Sequence, residues 1–225
     1  MSGPAYIMIG LLISLPLLTV VLSLLSSADI VFRSFIKDFT FIDWLSENFI
    51  GLTFSILFSF FASYCISAYL EKRSIKEEVA DKRTGEPLIA ITFTAILSFI
   101  YLLFSGIQII YLFAGNMQLP KPYTYAEYAR EGFFQLLFVC LINLVLVFVC
   151  LGRFKENKAL KAILTIISLC TYIMIASSAM RMLLYIQYYD LTFLRFFVLW
   201  ALIAIFFLIT GILIHIYKEM FPLFK

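Results

Sequence analysis

Five polar side chains stand near the ends of long apolar runs, where their types and spacing could do chemistry together. Gln108 lies near the end of one run, and Glu131 begins the next, with Gln135 one helical turn further. Arg181 and Tyr185 lie near the end of a later run. A carboxylate, two amides and a guanidinium can join in charge-assisted hydrogen bonds, or they can bind an anionic headgroup or a carboxylate ligand.

Polar residues recur every four positions in two sets that include four of these five side chains. Each set therefore shares one helix face, and the sets are Glu127, Glu131 and Gln135, and Ser177, Arg181 and Tyr185. An arginine at the centre of a bilayer costs about 2.5–3.5 kcal/mol, and one nearer the surface costs less but still prefers a partner or water. We predict that Arg181 faces the bundle and pairs with Glu131, while Gln135 and Gln108 satisfy its other donors.

Three interpretations of this cluster stay open. It is a purely structural polar clamp, a site for a ligand or ion, or simply an arginine whose long side chain reaches the headgroups. In the last case Tyr185 belongs to an aromatic belt at the membrane surface. Arg130 and Arg195 flank the cluster as secondary candidates. Asn143 lies near mid-membrane, where a hydrogen bond between helices, worth about 1 kcal/mol, is expected.

Composition shows what must position these residues. The chain has 225 residues, of which 63% are hydrophobic and 14% charged, whereas soluble domains average about 25% charged residues. One core cannot hide so much apolar surface, so we expect lipid to be the solvent and residues 1–225 to form a single transmembrane domain. The small net charge of +3 argues against binding to nucleic acid.

Six apolar segments approach or exceed the length of about 20 residues that a membrane-crossing helix needs. Because backbone groups in lipid must bond within their own segment, and because the runs do not alternate, we predict helices rather than a β-barrel. The predicted fold is all-α, a polytopic transmembrane helix bundle of about six spans, at residues 6–25, 50–70, 88–114, 132–151, 159–185 and 193–217. The first span lacks the basic start and the cleavage site of a signal peptide, which favours an anchor.

The segment between the first two spans mixes apolar and charged residues. Ser26, Ser27 and Asp29 are good residues for beginning a helix. The pattern predicts an interfacial helix on the bilayer surface, with Trp44 as a further anchor. A partly ordered loop is the alternative.

Lysine and arginine counts predict the orientation. Eleven of these residues fall in the N-terminus, residues 71–87, the loop after residue 151 and the C-terminal tail, and five fall on the opposite side. Because basic residues favour the cytoplasm, we predict that both termini are cytoplasmic. The polar cluster then lies in the outer leaflet.

Motifs for catalysis or cofactors were not found. The sequence has no nucleotide-binding glycine motif, no zinc-type HExxH and no nucleophile elbow. The cysteines, Cys65, Cys140, Cys150 and Cys170, lie in apolar runs without a CxxC pair, so we predict free buried thiols. We predict no cofactor, no metal site and no enzymatic activity.

Three stretches carry a family resemblance: "LLISLPLLTVVLSLLSSADIVF", "YTYAEYAREGFFQLLFVCLINL" and "SSAMRMLLYIQYYDLTFLR". They resemble the C-terminal portion of a bacterial polytopic membrane family, domain of unknown function 4173, which is related to the 4153 group. The resemblance implies a bacterial cytoplasmic membrane and no particular chemistry. Asp190 is a departure, because the family pattern usually has a glycine before the Leu-Thr. The matching motif positions are Tyr128, Arg130, Glu131, Gly132, Gln135, Arg181, Tyr185, Thr192 and Arg195.

The sequence leaves three classes of function to consider. The favoured one is a non-enzymatic membrane module that binds a protein partner, a lipid or a small ligand at the outer polar cluster. The alternative is a transporter or permease subunit whose charges line a substrate path. An intramembrane enzyme is disfavoured, because the only histidine, His215, lies at the opposite face from Glu131. The expected partners are the lipid bilayer and a membrane protein or a second copy of the chain.

Overall fold

The protein is described by a computed structural model that covers residues 3–37, 85–110 and 125–218. These residues form six helices: α1 (Gly3–Ala28), α2 (Ile30–Lys37), α3 (Pro87–Gln108), α4 (Tyr125–Arg153), α5 (Lys158–Tyr189) and α6 (Phe193–Tyr217). Within this part of the chain, the one extended pairing is an isolated bridge between Gly85 and Phe154. The predicted all-α fold is confirmed.

Five of these helices, all except α2, are long and apolar enough to cross a membrane. The predicted span at residues 193–217 coincides with α6, and the helices over the other four described spans begin before the predicted start. Hydropathy finds the apolar part of a helix, while backbone hydrogen bonding continues into the polar residues that flank it. The predicted span at residues 50–70 and the end of the span at 88–114 lie outside the described residues.

Local chemistry explains where several helices begin. Pro87 stands in the first turn of α3, where its missing N–H costs no hydrogen bond. The Asn157 side chain accepts a hydrogen bond from the Ala159 N–H at 2.8 Å and caps α5. Pro16 lies inside α1, a position that membrane helices tolerate better than soluble ones.

The direction of each helix follows from contacts at its two ends. The backbone of α1 at Gly10 lies against Thr92 near the start of α3, and Asp29 after α1 contacts Gln108 at the end of α3. Helices α1 and α3 are therefore parallel. Residues 37 and 85 consequently lie at opposite ends of the bundle, and a membrane span between them, as predicted at residues 50–70, would connect the two ends.

Helices α4 and α6 run the other way. The carbonyl of Arg153, at the end of α4, accepts a hydrogen bond from the Gly85 N–H at 3.0 Å, just before α3 begins. Helix α5 runs with α3, because Arg181 near its end contacts Gln108 at the end of α3. Tyr217, at the end of α6, is bonded to Thr165 near the start of α5, with 2.9 Å between the hydroxyls. The bundle thus has two ends, which we call the Asp29 end and the Gly85 end.

Burial places α3 and α5 at the centre of the bundle and α1 and α6 at its periphery. In an apolar stretch of 18 residues from each helix, 44% of the residues are buried in α3 and in α5, against 22% in α1 and 28% in α6. The outward face of α6 exposes large apolar side chains, among them Phe196, Trp200 and Phe207. Such a face suits lipid contact, since the solvent of this surface is as apolar as the side chains themselves.

The short helix α2 lies where the interfacial helix was predicted. Its Phe32 is buried and packs edge-to-face on Phe104 of α3, with 5.1 Å between the ring centroids. Arg33 and Phe35 on its other faces are exposed. One face of α2 is thus held against the bundle. Its position relative to the bilayer surface stays a prediction, and Trp44 lies outside the described residues.

Candidate functional site: a buried ion pair at the Asp29 end

The carboxylate of Asp29, between α1 and α2, bonds both to the start of α2 and to side chains of other helices. Its Oδ1 accepts hydrogen bonds from the backbone N–H groups of Val31 at 2.9 Å and Phe32 at 3.1 Å, which begin α2. Its Oδ2 accepts from Arg181 Nη2 and from Gln108 Nε2, both at 2.8 Å. The residue is only 4% exposed. One acid therefore caps α2 and pairs with a cation on α5.

Arg181 is fully buried, with 0% of its surface exposed. Besides Asp29, its Nη2 reaches Gln108 Oε1 at 3.3 Å, and its Nη1 donates to the Ala28 carbonyl at 2.6 Å. That carbonyl belongs to the last turn of α1, where helix carbonyls lack partners within the helix and carry partial negative charge. The arginine thus binds the end of α1 as well as the carboxylate that follows it.

Gln108 connects the same pair to α3. Its Nε2 donates to Asp29, and its Oε1 accepts from Ser177 Oγ at 2.7 Å as well as from Arg181. Ser177 lies one turn before Arg181 on α5, on the face that the four-residue spacing predicted. The amide is satisfied on both sides, which fixes its orientation.

Helix α4 approaches the clamp through a glycine, Gly132. A Cβ atom at Gly132 would lie 2.5 Å from the Ala28 carbonyl oxygen and would collide with Arg181 Nη1. Glycine is therefore required for α4 to approach the arginine and the end of α1. The family resemblance had marked Gly132 as a motif position without giving it a role.

These contacts make the cluster a clamp between helices. Each buried ion pays a desolvation cost of several kcal/mol, which is recovered only when the pair is well bonded, and removing one partner typically costs about 3–5 kcal/mol. Helices in lipid gain little from the hydrophobic effect against one another, so polar contacts and close approach decide their arrangement. We call Asp29, Gln108, Ser177 and Arg181 the clamp.

The predicted cluster is brought together in part. The structure places Gln108 against Arg181, as predicted. The side chains of Glu131 and Arg130 lie outside the described residues, so the pairing of Arg181 with Glu131 stays a prediction. Gln135 is half-buried, and its Oε1 has no hydrogen-bond partner among the residues that the structure describes.

Tyr185 and Arg195 form a second group one turn beyond the clamp. The Arg195 guanidinium lies over the Tyr185 ring, 4.3 Å from its centroid. Its Nη1 donates to the carbonyls of Tyr189 and Asp190 at the end of α5. Arg195, at the start of α6, therefore closes the last turn of α5.

Asp190, between α5 and α6, adopts a backbone conformation that favours glycine. Its φ is 61° and its ψ is 171°, and within the described residues no other non-glycine residue has positive φ. This region is populated almost only by glycine. Asp190 thus adopts a conformation that favours glycine at the position where the sequence resemblance leads us to expect a glycine.

Asn143 makes the expected hydrogen bond between helices. Its Nδ2 donates to Thr171 Oγ1 on α5 at 2.9 Å, and Asn143 is 1% exposed. Cys140, Cys150 and Cys170 are free and buried, as predicted, while Cys65 lies outside the described residues.

Asp29 is the site residue that the sequence reasoning missed. It was assigned only a capping role, although it too lies at the end of an apolar run, as Gln108 and Arg181 do. It directly follows the first span, which runs in the same direction as the third and fifth. An acid at that level was therefore a candidate partner for Arg181.

The bundle with its membrane-length helices defines a polytopic integral membrane protein. The model of the family described as Domain of unknown function (DUF4153) matches residues 2–225, so the chain belongs to this family. The predicted relation to the 4153 group is confirmed, and the match does not extend to the specific 4173 family. Among curated proteins and solved structures, none matches the chain.

Proposed function

We propose that this integral membrane protein is a non-enzymatic module that binds a hydrophobic partner within the bilayer, either a helix of another membrane protein or a lipid chain. The observation that carries the proposal is an open apolar groove on the flank of the bundle, between α4 and α6. The groove has a volume of about 370 Å³ and is lined by Leu144, Val145, Phe148, Phe207, Leu208, Gly211 and Ile212.

The groove suits an apolar occupant in both chemistry and shape. Gly211 leaves it open, because a Cβ atom at this position would meet nothing within 4 Å. Phe148 and Phe207 on the two walls are partly exposed, and aromatic side chains offer large contact areas at small entropic cost. A groove lined by a glycine also allows another helix to approach as closely as packing between membrane helices requires.

The burial of the clamp supports this interpretation, because it leaves no accessible polar side chain of the clamp for a ligand. The sequence favoured binding at the outer polar cluster, but Arg181, Gln108 and Asp29 are at most 4% exposed. Within the described residues, these side chains bond to one another, to Ser177 and to the adjoining ends of α1 and α2. A substrate or headgroup would have to displace these bonds, so we assign the clamp to positioning the helices and the groove to binding.

The experiment fills the groove and measures what remains bound. The full chain and its Gly211→Phe variant are purified in mild detergent, and co-purifying lipids and proteins are identified by native mass spectrometry. We expect a species that binds the wild type and is lost from Gly211→Phe at unchanged thermal stability. The control is Leu194→Phe, which changes an exposed apolar residue at the start of α6. Equal retention by Gly211→Phe and the control would contradict the proposal.

A transporter is the second candidate, favoured by buried polar residues along α3 at positions 94, 98, 101, 105 and 108. The test replaces Ser98 with cysteine and applies a membrane-impermeant thiol reagent to the full chain in proteoliposomes. Modification at a rate similar to that of an exposed Leu191→Cys control would favour an aqueous path and transport. Protection of Ser98→Cys favours the binding module.

The remaining proposals rest on the sequence. The sequence count of eleven basic residues against five supports a cytoplasmic location for both termini. The bacterial cytoplasmic membrane remains a proposal from the sequence resemblance to bacterial polytopic membrane proteins.

A further inference from the structure

The apolar groove between α4 and α6 lies in one half of the bilayer, at the Gly85 end. Its lining residues fall within 144–148 on α4 and 207–212 on α6. Both helices run toward the Gly85 end, where they finish at Arg153 and Tyr217. At 1.5 Å per residue, the groove therefore lies about 8–15 Å from these helix ends. A hydrocarbon core of about 30 Å gives each leaflet about 15 Å, so a lipid of the leaflet at this end has its acyl chain at the depth of the groove.

The dimensions of the groove suit a lipid chain better than a helix. Its lining residues extend over at most six positions of either helix, a length of at most about 8 Å. A helix with its side chains is about 10 Å across, wider than the groove is long. A chain of methylene groups is thinner and flexible, so it can lie along the surfaces of Phe148 and Phe207 beside the open position at Gly211.

An acyl chain alone gives no selectivity, because the surrounding bilayer is as apolar as the groove. Selectivity therefore has to come from the headgroup, at the Gly85 end. Among the described residues there, basic side chains outnumber acidic ones; the basic residues are Arg153, Lys155, Lys158, Lys161 and Lys218, and the acidic residues are Glu86 and Glu156. Lys155 pairs with Glu86 at 3.2 Å. Lys161 pairs with Glu156 at 2.8 Å.

Arg153 and Lys218 stand two turns beyond the groove, one on each of the helices that form its walls. Arg153 follows Val145 by eight residues, and Lys218 follows Gly211 by seven, spacings that keep each pair on one side of its helix. Lys218 comes directly after α6, but its backbone N–H still bonds to the Ile214 carbonyl at 2.8 Å, so it continues the last turn. Both basic residues are exposed. An anionic group at their level is thus placed above the groove, with its acyl chain directed into it.

We propose that the groove binds a phospholipid with a net negative headgroup from the leaflet at the Gly85 end, a refinement that rests on the proposed function of the groove. The acyl chain lies against Phe148 and Phe207. The headgroup phosphate accepts charge-assisted hydrogen bonds from Arg153 and Lys218. Basic pockets between membrane helices bind anionic headgroups in this way.

The test compares two lipids that share their acyl chains and differ in headgroup charge. The full chain in mild detergent is titrated with phosphatidylglycerol, which is anionic, and with phosphatidylcholine, which has no net charge, and native mass spectrometry gives the Kd of each. We expect the wild type to bind phosphatidylglycerol at least about fivefold more tightly, the effect of about one basic residue at a membrane surface. Equal Kd values for the two lipids would overturn the proposal.

Variants link the preference to the two basic residues. Lys218→Gln and Arg153→Gln each remove one cation, and we expect each to lower the preference for phosphatidylglycerol several-fold. The matched control is Lys158→Gln, which removes an exposed lysine at the same end of the bundle, on α5, and should leave the preference unchanged. Equal losses in Lys218→Gln and Lys158→Gln would show a general attraction to surface charge and would overturn the site.

The variant Gly211→Phe separates a failure of the headgroup assignment from a failure of the proposed function. We expect it to lose both lipids at unchanged thermal stability. If it loses both lipids but the wild type shows no preference between them, the headgroup assignment is wrong and the groove still binds lipid. If it keeps both lipids as fully as Leu194→Phe does, the groove is not a lipid site, and the proposed function loses its lipid form as well.

Discussion

Gly132 is the residue on which the close packing around Arg181 depends. We predict that Gly132→Ala lowers the free energy of unfolding by about 1–3 kcal/mol, because its Cβ would collide with the guanidinium and the Ala28 carbonyl. Unfolding is measured for the protein in detergent. The control is Gly106→Ala on α3, where a Cβ meets nothing within 4 Å and alanine favours the helix. Equal losses in the two variants would contradict the role of Gly132.

The strained backbone at Asp190 gives an opposite prediction. Asp190→Gly should raise the free energy of unfolding by about 1 kcal/mol, because glycine adopts this conformation without the penalty of a Cβ atom. Arg195 bonds to the carbonyl of residue 190, so the substitution leaves that contact in place. Asp190→Ala keeps the strain and should bring no gain. If thermal unfolding in detergent shows the same stability for both variants, the strain is not real.

At this scale, the sequence predicts some of the site and misses the rest for a physical reason. Gln108 and Arg181 both lie near the ends of apolar runs, which predicted that they could meet, and the structure shows a hydrogen bond between them. Asp29 was assigned a cap because its position before α2 explains an acid by itself. A carboxylate has two oxygens, however, and here each performs a different task. Which partner a buried arginine takes depends on how the helices rotate, which hydropathy does not encode.

At the scale of elements, the contact between α1 and α3 depends on Gly10. A Cβ atom there would lie 2.8 Å from Thr92 Cβ and 2.9 Å from the Ile89 carbonyl oxygen. We predict that Gly10→Ala separates the two helices and costs about 1–3 kcal/mol in unfolding experiments in detergent. The matched change Gly211→Ala adds the same methyl group in open space and should be close to neutral. A neutral Gly10→Ala would show that the helices are not in close contact.

Helix positions were predictable to the extent that they reflect apolar length. The boundaries of α6 were obtained to the residue, since its apolar run is bounded by Thr192 and Lys218. Helix α4 begins at Tyr125, seven residues before the predicted start, because residues 125–131 form helix outside the apolar run. The stacking of α3 and α5 at the centre could not be predicted, because lipid-facing and buried apolar residues look alike in sequence.

For the whole molecule, the orientation in the membrane is the testable prediction. In intact cells, cysteine placed at Leu191, exposed at the Asp29 end, should react with an impermeant thiol reagent. Cysteine at Lys158, exposed at the Gly85 end, should react only after the cells are opened. Cys140, Cys150 and Cys170 are buried and should give little background, and Cys65→Ser removes the fourth thiol. The reverse pattern of labelling would invert the topology.

The central claim is that the ion pair between Asp29 and Arg181 holds the helices together as part of the clamp. A double-mutant cycle tests this claim most directly. Asp29→Asn removes the charge while keeping a residue that can cap α2, and Arg181→Met removes the cation. Each single change should cost about 3–5 kcal/mol, since it breaks the buried pair by removing one of its two members. In detergent unfolding, the double variant should lose at least about 1 kcal/mol less than the sum of the two losses. Strictly additive losses would contradict the clamp.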